Sequence, residues 1–75
     1  MDNAEVRDIF NLAYNTFWNR YKGMNREQLE RASEMLVKDA GRIMVKYNNP
    51  LCHGIMRVLL DELDRRVMDA RNGDT

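Results

Sequence analysis

The sequence is poor in the residues that carry chemistry. Among its 75 residues are one cysteine, one histidine, one proline and four glycines. A lone cysteine cannot close an internal disulfide, so a reducing, cytoplasmic setting fits best. A zinc site takes three or four ligands of this kind, and Cys52 and His53 have no companions. Adjacent helical positions also point about 100° apart, which suits neither a shared metal nor a thiol beside its base. The glycines stand singly at 23, 41, 54 and 73, so there is no glycine-rich phosphate loop. No apolar run approaches the roughly 20 residues that cross a bilayer. The opening residues, Met1-Asp2-Asn3-Ala4-Glu5, lack the basic start and apolar run of a signal peptide. The expectation is a non-enzymatic chain with no catalytic residue, no metal, no cofactor and no membrane span.

Net charge is also missing: 12 lysines and arginines face 12 aspartates and glutamates. The balance is local as well. Residues 1–22 carry three acids and three bases, residues 23–47 four and five, residues 48–75 five and four. A protein that binds nucleic acid by neutralising phosphates shows a basic bias or stripe, and none is visible at this level. The acids sit on polar faces or among arginines, with nothing in the pattern to bury one and raise its pKa for acid catalysis.

What the sequence does have is punctuation. Lys22-Gly23-Met24-Asn25 and Asn48-Asn49-Pro50 divide it into three segments with apolar residues at helical spacing. The expected fold is all-α: one compact three-helix domain over residues 1–75, with helices at roughly 3–22, 26–47 and 50–71 and short turns. Asp2 caps the first helix with Glu5 three residues on, and Asn25 caps the second with Gln28 in the same relation. Asn49-Pro50 opens the third, because proline at the first helical position loses no needed hydrogen bond. Gly23 is the expected left-handed stop of the first helix.

The inward stripe of the first helix reads as Val6, Ile9, Phe10, Ala13, Tyr14, Phe17 and Tyr21. In the second it is Leu29, Ala32, Leu36, Ala40, Ile43 and Tyr47. Gly41 is expected at a close helix contact. The third helix carries Cys52, with Ile55, Leu59, Leu63 and Ala70 inward. Met56, Leu60 and Val67 fall to one side, at the spacing a partner helix uses. Phe10, Phe17, Leu36, Ile43, Leu59 and Leu63 are the expected core. Asp61–Arg65 and Glu62–Arg66 are expected ion pairs. Residues 71–75 read as a frayed tail.

Two surfaces are candidates for binding. Trp18 with Arg20, Lys22 and Arg26 offers a ring beside cations, suited to a protein hot spot or to stacking a base. Met56, Leu60 and Val67 offer a seam for a homodimer with Leu60 near its centre. Six further apolar residues off the stripes, among them Met35, Val37, Val45 and Val58, add to the case for an extra interface.

The run of pairs Ile9-Phe10, Ala13-Tyr14, Phe17-Trp18 and Tyr21-Lys22-Gly23 is followed by Lys46-Tyr47-Asn48-Asn49 and by residues 58–66, VLLDELDRR. This pattern resembles small proteins of phages and prophages of Gram-positive gut bacteria, over about residues 8–66. That family has no assigned activity and no catalytic residues to transfer. The resemblance implies a context in which small proteins act by binding host factors. The expected function is a small interaction protein that modulates a host protein through a helical surface. The alternative is a nucleotide- or nucleic-acid-binding module built around Trp18.

Overall fold

The computed structural model describes residues 1–73, and the side chains of residues 1–70. Three helical stretches follow one another, with no strand among the described residues: 3–21, 26–46 and Pro50–Gly73. Asp2 Oδ1 accepts from the Glu5 backbone N–H at 2.9 Å to start the first helix. Asn25 and Gln28 form a full capping box, with bonds of 2.9 and 3.0 Å. Asn49 Oδ1 accepts from the Cys52 N–H at 2.9 Å, so Asn49 and Pro50 act as cap and first residue as the sequence implies. The expected end of the third helix at 71 is passed. Residues 71–73 continue it, and the rest of the expected tail, 74–75, lies outside the described residues.

Neither glycine expectation holds. No described glycine has positive φ, so Gly23 is not a left-handed stop; the first helix closes with the Met24 N–H bonded to the Tyr21 carbonyl at 3.1 Å. A methyl group placed on Gly41 would meet no atom within 4 Å, so no close contact requires it. The second helix instead changes conformation at Ala32 (φ −90°, ψ 5°), between Arg26–Arg31 and Ser33–Lys46.

The first helix is the surprise. Between α-helical ends at Asn3–Phe10 and Asn19–Tyr21, residues Asn11–Trp18 are π-helical. Hydrogen bonds from i to i+5 widen the turn, so each residue rotates less than in an α-helix and a spacing of four stays on one line. Ile9, Ala13, Phe17 and Tyr21 make that line, all at most 2% exposed. The Phe17 and Tyr21 rings meet at 5.1 Å, tilted by 52°. The next line, Phe10–Tyr14–Trp18, is turned aside. Phe10 is 51% exposed and Tyr14 56%, so neither is the core residue the α-helical period suggests. A third line of side chains supports the π run on the solvent side. Asn15 donates to Asn11 Oδ1 at 2.8 Å, and Asn19 donates to the Asn15 carbonyl at 3.1 Å.

The core fills from all three helices. Leu29, Leu36, Ala40 and Ile43 come from the second; Cys52, Met56 and Leu63 from the third. Each large side chain buried here contributes about 1.5–3 kcal/mol. The buried line of the third helix is rotated from the expected one. Met56 is fully buried and cannot belong to an outward seam, while Ile55 and Leu59 are only partly covered and Ala70 is exposed. With Cys52 and Leu63 fixed inward, Met56 lies on the wheel about 20° beyond Leu63, and Ile55 lies on the opposite edge.

Candidate functional site

The lines of the first helix have separate destinations. On one flank, Asp8 accepts from the Tyr47 hydroxyl at 3.1 Å and Arg20 Nη1 meets Asp39 Oδ2 at 2.5 Å, so this flank faces the second helix. On the other, Arg66 of the third helix lies over the Trp18 ring, 4.9 Å from its centroid, and donates to the Lys22 carbonyl at 3.2 Å. The expected aromatic and basic patch is therefore divided. Arg20 is turned away from Trp18 to Asp39, and Arg26 reaches toward Glu30 at 3.9 Å. Lys22 is exposed. The cation on Trp18 is Arg66, which the sequence reading did not connect to it.

Asp39 is the polar joint between the first two helices. Its Oδ2 accepts from the buried Tyr21 hydroxyl at 2.6 Å as well as from Arg20. The Tyr21 hydrogen bond, joined by Arg20, holds the Asp39 carboxyl below its ordinary range despite some desolvation. Burial, and then the bond to Asp39, push the Tyr21 phenol up. This joint keeps a carboxylate charged and a phenol neutral, which fixes geometry and offers no proton for transfer near neutrality.

Cys52 and His53 are explained by helix ends. At the end of the second helix the Ile43 carbonyl accepts from the Tyr47 N–H at 3.0 Å and keeps a lone pair for a second donor. The Cys52 thiol donates to the Ile43 carbonyl at 3.6 Å, and His53 Nε2 hydrogen-bonds the Met44 carbonyl at 3.2 Å. The two side chains tie the start of the third helix to the end of the second. Burial raises the Cys52 pKa, which disfavours the thiolate.

Two apolar surfaces remain. The first is the flank shared by the first and third helices. Arg66 marks the edge of the third helix that faces Trp18, and Leu59, Ile55 and Leu51 continue that edge at steps of seven, four and four. Around them lies a shallow depression completed by Pro50, Gly54 and Val58, with Val58 65% exposed. Tyr14 and Phe10 continue the Trp18 line of the first helix at steps of four, and both are about half exposed. The second surface is a groove of about 420 Å³ between the second and third helices. Leu60 and Val67 line it with Leu36 and Val37, and Glu30, Asp61 and Asp64 stand at its rim. Thus two of the three seam residues, Leu60 and Val67, reach a surface, and Met56 does not. The expected Asp61–Arg65 pair is absent because Arg65 and Arg66 both turn to Glu62, which they hold below its ordinary pKa.

No helix among the described residues is long and apolar enough to cross a membrane. Comparison with family models, with curated proteins and with solved structures finds no match to this chain.

Proposed function

We propose that this chain is a small non-enzymatic interaction protein, of the phage type its sequence pattern resembles, and that it engages a host protein through the flank of its first and third helices. One observation supports it: where the π-helical run begins, Phe10 and Tyr14 are turned out of the core, each about half exposed, on the line of the first helix that leads to Trp18. Two half-exposed aromatic rings leave on the order of 200 Å² in water. Covering that area is worth at most about 5 kcal/mol. Aromatic side chains with an arginine beside them are the usual anchors of protein interfaces, and Arg66 on Trp18 provides that combination. A π run in a helix is rare and is often found where a helix does its work. A cytoplasmic setting belongs to the same reading, supported by a single thiol kept buried and free.

The division of Trp18 from Arg20 and Arg26 weighs against the nucleotide-binding alternative, since these cations are occupied on other faces. The test is capture from a lysate of a Gram-positive host, with the wild type beside Phe10→Glu/Val58→Glu. The expected result is a protein retained by the wild type and lost by the variant, with unchanged helicity in circular dichroism. Equal recovery on both would refute this surface.

A further inference from the structure

We infer that the groove between the second and third helices receives the outer face of the second helix of another copy, joining copies head to tail. The groove lacks a counter-charge. Its floor is apolar, and Asp61 and Asp64 at its rim make no ion pair with another described residue, whereas Glu30 reaches Arg26. The chain carries the complementary surface. Met35, Lys38, Arg42 and Val45 follow at steps of three, four and three, which places them on one face of the second helix, opposite Leu36, Ala40 and Ile43. All four are exposed; Met35 is 47% and Val45 80% in water. Neither Lys38 nor Arg42 makes an ion pair with a described residue.

The two surfaces match in order. The third helix presents Leu60, Asp61, Asp64 and Val67: apolar, acid, acid, apolar. The second presents apolar, base, base, apolar. Residues three or four apart on a helix lie about 5–6 Å from each other, so the two cations meet the two carboxylates in step. Met35 to Val45 spans ten residues, about 15 Å of helix, and overhangs the seven from Leu60 to Val67, about 10 Å. Groove and stripe are different patches on one chain, so the contact is heterologous and leads to rings or open arrays, not to a twofold dimer. This surface is separate from the flank proposed above, and either can fail alone.

The test is sedimentation of the full chain across a dilution series in low and high salt. The wild type should associate at high micromolar concentration, with an affinity about tenfold lower in 500 mM than in 20 mM salt as the charges are screened. Reversing the groove (Asp61→Lys/Asp64→Lys) or the stripe (Lys38→Glu/Arg42→Glu) should each give monomers with wild-type helicity. Mixing the two variants should restore association, because each then supplies what the other lacks. The flank variant Phe10→Glu/Val58→Glu should associate like the wild type. A monomeric wild type, an unchanged reversal variant, a mixture that stays monomeric or a flank variant that dissociates would each overturn the inference.

Discussion

Met56 is where sequence pattern and structure disagree most sharply, and the disagreement has a measurable size. As part of an outward seam it would be dispensable. In the structure it is fully buried, in one cluster with Cys52 and Leu63. Methionine-to-alanine changes at buried positions cost about 2–5 kcal/mol, from lost transfer energy and the cavity left behind. A domain of this length has on the order of 4–11 kcal/mol in total, so Met56→Ala removes a large share of it. The melting temperature should fall by about 10 °C or more. Val58, two positions away and 65% exposed, is the internal control: Val58→Ala should stay within about 0.5 kcal/mol of the wild type. Leu59→Ala, at a partly covered position, should fall between them. Urea denaturation followed by circular dichroism measures all three. A Met56→Ala protein as stable as the Val58→Ala protein would mean that the third helix presents another face to the core.

Gly41→Ala should stabilise the protein by about 1 kcal/mol, since the position is mid-helix and open on its side-chain face; a loss in the same urea titration would reveal a packed neighbour. Stability should also change with pH at both extremes. Asp39 has a folded pKa below the unfolded value of about 3.9, so its contribution is present above that value and lost as pH falls through the folded one. Tyr21 has a folded pKa above the unfolded value of about 10, so its contribution is present below that value and lost as pH rises through the folded one. Asp39→Asn should flatten the acid arm and Tyr21→Phe the alkaline arm of the urea midpoint against pH; unchanged arms would refute the joint.

The helices and their caps were legible because Asn25, Asn49 and Pro50 act within a few residues of themselves. Phe17, Leu36, Ile43 and Leu63 were legible as core because they lie near the centre of any reasonable stripe. Phe10 was misread because a wheel drawn at 100° per residue places it beside Ile9 in the core. The signal of the π run was present: Ile9, Ala13, Phe17 and Tyr21 repeat at four, four and four, longer than an α-helical period, and Asn11, Asn15 and Asn19 repeat in step. Met56 was misread because the third helix is apolar over a wide arc, and only the positions of the other two helices decide which part is covered. The division of Trp18 from Arg20 has the same origin, since neighbours in sequence went to opposite flanks. The pairing of Arg66 with Trp18 joins residues 48 apart, and no local pattern announces it.

Trp18 gives the most direct test of the proposed flank, because it is the chain's single tryptophan and lies on that edge beneath Arg66. Incorporation of 5-fluorotryptophan supplies one 19F resonance, and an unlabelled partner adds none. Saturation with the captured host protein should shift that resonance and remove its solvent isotope effect, while Phe10→Glu/Val58→Glu leaves it unmoved. A partner that binds the wild type yet leaves the Trp18 resonance unchanged would contradict the account.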